Sequence, residues 1–273
     1  MSVLTRESSK ASFPASVKIL RADYNSLASL TTALQGQDAV VSTVGTEGLT
    51  GQILLIDASI AAGVKRFIPS EFGSDSASPK TRALPVFGYK VAVDEHLIAK
   101  TKANPGFTYT VIRCGPFLDW GIEVGFIFGW KDGKPEIYDG GDRLFSATTL
   151  AHVGTSVVGA LSRPEETANK ALYVEDMKIS QNRILAIAKK IAPQKDWQVV
   201  PKSIAEIKQT CDESLAKGDF SLGVMIQYIL VGIFGGQEYG AAFEKNDNEL
   251  VGLKGDLGDA DIEAILKPLL TDA

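Results

Sequence analysis

Short apolar runs alternate with helix-length stretches over residues 1–113, and that alternation leaves few folds open. Residues 1–6 (MSVLTR), 17–20 (VKIL), 38–44 (DAVVSTV), 65–69 (KRFIP) and 107–113 (FTYTVIR) read as strands. The run at 38–44 is apolar almost throughout, which fits a parallel strand covered on both faces. Between strands, Leu27, Leu30 and Leu34 mark one face of a helix that Asn25 or Ser26 caps and Gly36 ends. Residues 50–63 form a second helix stopped by Gly63, and residues 86–104 a third. The expected class is α/β, a doubly wound parallel sheet followed by a smaller C-terminal region.

Composition narrows the function. The chain has 273 residues, 45% hydrophobic and 22% charged, enough for a full core. A net charge of −5 without a basic stripe speaks against nucleic acid. The most apolar run, 220–234, is too short for a bilayer and is interrupted by Gln227, so no membrane partner is expected. It reads as an amphipathic helix closing over a pocket mouth. Two cysteines, Cys114 and Cys211, fit a reducing compartment, and no charged-then-apolar leader is read, so a cytoplasmic location is expected. With His96 and His152 as the only histidines, no metal site is expected.

Residues 62–90 (AGVKRFIPSEFGSDSASPKTRALPVFGYK) carry the chemistry. A strand ending in Pro69-Ser70-Glu71-Phe72 puts a hydroxyl, a carboxylate and an aromatic ring at the carboxyl edge, where open α/β sheets bind ligands. The next helix brings Lys90. By spacing alone, Lys90 reads as an exposed helix lysine paired with Asp94 at i, i+4. Gly45, Gly48 and Gly51 have the spacing of a phosphate-cradling turn. The nearest carboxylate at the expected offset is Glu71, inside the SEFG turn, so the glycine spacing is read as a decoy.

VKRFIPSEFG, a lysine on the following helix and YTVIRCGPF come in order with VLTRESS, DAVVSTVG and FSATTLAHVGTSVVGAL. Together they resemble the isoflavone-reductase-like branch of the NmrA-like family, atypical short-chain dehydrogenases, over well over half the chain. The resemblance implies a Rossmann-like NAD(P)-binding core over residues 1–116 with strands added from 143–175, and a substrate cap mostly in 117–273. It also implies that the family's opening strand, glycine-rich turn and first helix are absent here, leaving an incomplete core. Arg6 corresponds to the arginine that meets the 2′-phosphate of NADPH, with Lys10 close by. Ser42, Thr43, Val44, Gly45, Gln52, Pro69, Ser70, Glu71, Phe72 and Lys90 would contact the cofactor. The Tyr-x-x-x-Lys pair of other short-chain dehydrogenases is missing, because Val93 follows Tyr89 at that offset. The resemblance instead implies Lys90 as the catalytic lysine, a general acid or polariser.

Phe117, Trp120 and Phe126 would line the substrate pocket, within an aromatic stretch that includes Phe128 and Trp130. The same stretch reads equally well as core. The implied activity is NADPH-dependent reduction of a small aromatic or phenolic substrate by hydride transfer. Two alternatives stay open: a non-catalytic NADP-sensing regulator acting through protein partners, and an inactive truncated form. Substrate identity and oligomeric state are not set by the sequence. Residues 136–144, with Gly140-Gly141, read as a hairpin. Further on, Ser180 and Ser203 read as helix caps.

Overall fold

The apolar runs pair in parallel, as their continuous hydrophobicity requires. The computed structural model describes residues 1–45 and 48–271. In chain order the elements are β1 (Ser2–Arg6), β2 (Lys18–Ala22), α1 (Leu27–Leu34), β3 (Ala39–Val41), α2 (Gln52–Ala61), β4 (Arg66–Ile68), α3 (Pro79–Arg82) and α4 (Gly88–Ala103). There follow β5 (Thr108–Arg113), α5 (Leu118–Glu123), β6 (Glu136–Tyr138), β7 (Phe145–Ala147), α6 (Leu150–Ser162), β8 (Lys170–Tyr173), β9 (Met177–Ile179) and α7 (Gln181–Ile191). The chain ends with β10 (Val200–Lys202), α8 (Ile204–Ala216), α9 (Leu222–Phe234), α10 (Asn248–Val251) and α11 (Asp259–Thr271). These elements divide into two compact units, with boundaries inside β5 after Val111 and inside β8 after Ala171.

The first unit holds Met1–Glu71, Tyr89–Val111 and Pro164–Ala171. Its four-stranded sheet has the order β3-β4-β5-β8, and β1 pairs in parallel with β2 in a separate two-stranded sheet. Val40 sits opposite Phe67, and Phe67 opposite Tyr109. Leu30 and Leu34 of α1, Leu55 and Ile56 of α2, and Val93 and Leu97 of α4 close over these strands in one core. The expected cap of α1 is Ser26, whose hydroxyl accepts the Ser29 amide hydrogen at 3.2 Å. Gly36 follows at φ 74°, a conformation that favours glycine.

Two charged groups lock this unit. Arg66, buried at the start of β4, donates to the hydroxyls of Thr108, Thr110 and Thr167 and to the Pro164 carbonyl. Neutral oxygens thus satisfy the guanidinium, and burial pulls it below its ordinary pKa. Asp57 on α2 meets His96 at 2.9 Å and Lys100 at 2.8 Å, both on α4. His96 is therefore a packing tie between two helices.

The second unit holds Phe72–Gly88, Ile112–Arg163 and Leu172–Ala273. Its core stacks Tyr138 on Phe234 at 4.7 Å, with Phe145 edge-on to Phe234 at 5.3 Å. Ser180 and Ser203 cap α7 and α8 as expected, accepting the Arg183 and Glu206 amide hydrogens. The apolar helix α9 buries Tyr228, Leu230, Val231, Ile233 and Phe234 in this core.

The hairpin expected over 136–144 does not form. β6 pairs in parallel with β10, and β7 pairs antiparallel with β9. Positive φ at Asp139, Gly140 and Gly141 turns the chain away from β6. Asn182 then holds the turn through the Gly140 carbonyl and the Asp142 carboxylate, both at 2.7 Å. The third helix also starts later than residue 86: Pro85–Phe87 form a single 3-10 turn, and the α-helix begins at Gly88.

Burial raises the Asp57 carboxyl, but hydrogen bonds from Lys100 and His96 outweigh it and the net direction is down. A carboxylate depressed in the folded state stabilises above its unfolded pKa, about 3.9, and that stabilisation is lost as pH falls through the folded value. Urea unfolding should therefore find Asp57→Asn less stable than wild type at neutral pH. The difference should shrink as pH drops below about 4; a pH-independent difference would contradict the linkage.

Candidate active site

The carboxyl ends of β3 and β4 and the starts of α2 and α4 meet at Ser70, within the first unit. The Ser70 amide donates to Gln52 Oε1 at 2.8 Å, tying the end of β4 to the first residue of α2. The Ser70 hydroxyl donates to the Val44 carbonyl at 2.8 Å, tying it to the segment after β3. The Glu71 amide turns back onto Pro69 O at 2.8 Å, a three-residue turn that exposes the Glu71 carbonyl to Lys90. Lys90 Nζ donates to that carbonyl.

Lys90 thus bonds to the SEFG turn, and Asp94, one helical turn on, is buried. An ammonium has three N–H donors, so the bond to Glu71 leaves others for a ligand. Of the expected cofactor residues, Ser42, Val44, Gln52, Pro69, Ser70, Glu71 and Lys90 are thus joined by hydrogen bonds or by chain continuity. Ser42 donates its amide to Ile68 O at 2.8 Å, which ends β3 beside β4. Thr43 and Gly45 are exposed on the same segment. Phe72, next in the chain, belongs to the second unit and is half-buried. Arg6 is exposed at the end of β1, with Lys10 exposed nearby in sequence.

The region has the chemistry to receive a polar ligand. Gln52 Nε2 and Ser42 Oγ are buried and have no hydrogen-bond partner among the described residues. Such groups cost free energy unless something pairs with them. A Cβ placed on Gly45 would meet nothing within 4 Å, so the chain leaves open space at that residue. These features fit a dinucleotide, which offers oxygen acceptors along its length. The glycine spacing from 45 to 51 includes Thr46 and Glu47, outside the described residues. Gly48 and Gly51 carry a tight turn into α2, with Gly48 N on Gly45 O and Gly51 N on Gly48 O.

In the second unit the aromatic stretch divides. Phe117 and Trp120 sit edge to face at 6.5 Å, and Trp120 and Phe126 are tilted at 6.0 Å. Trp120 is 43% exposed, so the trio forms a partly open apolar surface. Phe128 and Trp130 are instead buried in the core, where the Trp130 indole donates to Ile122 O at 2.9 Å. Phe126 also lines a cavity of about 190 Å³ with Phe128, Lys134, Glu136, Tyr138 and Gln181. Burial, reinforced by Glu136, pushes the Tyr138 phenol well above its ordinary pKa, so it stays a hydrogen-bond donor.

His152 has a structural place. Its Nδ1 meets the fully buried Asp176 at 2.5 Å, and the other Asp176 oxygen accepts the Thr149 amide and hydroxyl at 2.8 Å each. Asp176 thereby anchors the start of α6, a partnership between residues 24 or more apart that no local motif signals.

Residues 2–209 match the NmrA-like family. The oxidoreductase poxI of Penicillium oxalicum is 34% identical over 277 residues, covering 98% of this chain and 86% of that protein. The chain belongs to the NmrA-like family. It is an oxidoreductase by that kinship. The solved structure of isoflavone reductase superposes with a TM-score of 0.73 at 22% identity, over 97% of this chain and 89% of that one. AtPrR2 with NADP+ and (+)-pinoresinol superposes with a TM-score of 0.75 at 20% identity, over 97% and 90%. This NmrA-like chain therefore has the Rossmann-like α/β fold of those enzymes. No helix among its described residues is long and apolar enough to cross a membrane.

Sequence reasoning missed Arg21, whose guanidinium holds the loop after β1. A basic residue closing the strand next to β1 was the available signal, but its use depended on the β1–β2 register.

Gln52→Leu removes the acceptor of the Ser70 amide. Its expected cost is about 1 kcal/mol, the net worth of one part-buried hydrogen bond, read from urea denaturation. Unchanged stability would show that the Ser70 tie is dispensable.

Proposed function

We propose that this chain is an NADPH-dependent reductase of the isoflavone-reductase-like type, acting on a small aromatic or phenolic substrate. The observation that carries the reading is the Lys90 ammonium, held by the Glu71 carbonyl at the carboxyl edge of the sheet. Kinship to a curated oxidoreductase supports the reaction class. The NADP+ and pinoresinol bound to AtPrR2 support the cofactor and the aromatic nature of the substrate. In this reading Gln52 Nε2 and Ser42 Oγ donate to the cofactor, Arg6 pairs with its 2′-phosphate, and Pro69, Ser70, Glu71 and Phe72 border its nicotinamide half. Phe117, Trp120 and Phe126 are the proposed substrate-pocket residues, on the partly open aromatic surface they form in the second unit.

Bound NADPH supplies a hydride. The substrate carbon that receives it passes an electron pair to an attached oxygen. Lys90 stabilises the charge developing on that oxygen and donates a proton to it, becoming a neutral amine that water reprotonates. The Glu71 carbonyl fixes the ammonium during this transfer.

The test follows NADPH consumption with a panel of small phenolic and aryl acceptors. Lys90→Ala should lose at least about 100-fold in turnover, the contribution of a positioned general acid, while still binding NADPH by fluorescence titration. Equal turnover in the variant would sink the role given to Lys90.

A further inference from the structure

The loop after β1 is wound around one guanidinium. Arg21 Nη1 donates to three carbonyl oxygens, those of Arg6 at 3.3 Å, Glu7 at 3.1 Å and Ser9 at 3.0 Å. Parallel pairing sets Thr5 opposite Arg21 and Arg6 opposite Ala22, which brings the Arg21 side chain to the point where the loop leaves the strand. The loop closes on itself as well. Ser9 N donates to Arg6 O at 3.0 Å, and Ala11 N to Ser9 Oγ at 3.3 Å.

Peptide geometry turns this clamp into a statement about donors. A planar trans peptide points its N–H opposite to its C=O. With the Glu7 and Ser9 carbonyls aimed at Arg21, the amide hydrogens of Ser8 and Lys10 point away from it. Neither amide has an acceptor among the described residues. The exposed side chains of Arg6 and Lys10 belong to the same short segment. Amide donors combined with a planar guanidinium and an ammonium are a set that recognises a phosphate monoester. The one carboxylate of the segment, Glu7, is exposed and works against such an anion, so the loop's shape decides whether its donors prevail.

We propose that Arg21 is a positioning residue for cofactor choice, holding residues 6–10 in the shape that presents Arg6, Lys10 and the Ser8 and Lys10 amides to the 2′-phosphate of NADPH. The inference rests on the NADPH reading above and deepens it. Arg21 acts through the loop, and its replacement affects ligands that carry the 2′-phosphate far more than those that lack it.

Calorimetric titration of the full chain with adenosine 2′,5′-bisphosphate and with adenosine 5′-phosphate isolates that phosphate without any turnover. Wild type should prefer the bisphosphate. Arg21→Ala should cut the preference about tenfold, about 1.4 kcal/mol, with adenosine 5′-phosphate affinity unchanged. Arg21→Lys should recover part of it, because an ammonium reaches some of the carbonyls without the planar fork. An unchanged preference in Arg21→Ala, or an equal loss for both ligands, would overturn the role of Arg21 and leave the NADPH reading standing. A wild type with no preference for the bisphosphate would overturn that reading and this inference together.

Discussion

Ser70 donates twice, and the candidate site depends on both bonds. Its amide fixes the end of β4 to Gln52 at the start of α2, and its hydroxyl fixes it to Val44 beyond β3. A serine at this place supplies two donors within one residue, so two loops and a helix start are set by a single backbone position. The next residue, Glu71, turns its carbonyl to Lys90. The side chain given the proton-donating role is thus two short links from the serine. Gln52 uses its oxygen on Ser70 and leaves its buried Nε2 without a partner among the described residues. One amide both builds the site and offers it a donor.

The rest of the chain divides the work between two cores. The first packs α1, α2 and α4 around β3, β4 and β5, with Arg66 and Asp57 as charged ties. The second is built on aromatic stacking of Tyr138, Phe145 and Phe234, and it carries the open trio of Phe117, Trp120 and Phe126. Rigid packing beneath a partly exposed aromatic surface suits recognition of a flat, apolar ligand. The hydrogen-bonding groups suited to a dinucleotide lie at the strand ends of the first unit.

What the sequence made legible was local. Ser26, Ser180 and Ser203 were readable as caps because a cap bonds to an amide three residues on. The strands of the parallel sheet were readable from their continuous apolar runs. The turn at Gly140-Gly141 suggested a hairpin because both glycines favour one, yet β6 found its partner in β10, far along the chain. No period or turn rule encodes that choice. β9, three residues long, was too short to carry an alternation and went unread. The aromatic stretch could not be divided in advance, because irregular backbone gives side chains no fixed direction. Phe126 and Phe128 are two residues apart, yet Phe128 is fully buried while Phe126 stays half-buried beside Trp120. Arg21 and Asp57 act through strand register and helix packing, neither of which a linear reading contains.

The central claim is that the junction around Ser70 seats NADPH with its nicotinamide end at Lys90. The most direct measurement is a crystal structure of this chain with NADP+ bound. The account predicts a ligand oxygen within hydrogen-bond distance of Gln52 Nε2 and the nicotinamide ribose or ring beside Lys90 Nζ. A dinucleotide seated elsewhere, with Gln52 Nε2 still unpaired and Lys90 bonded only to Glu71, would contradict it.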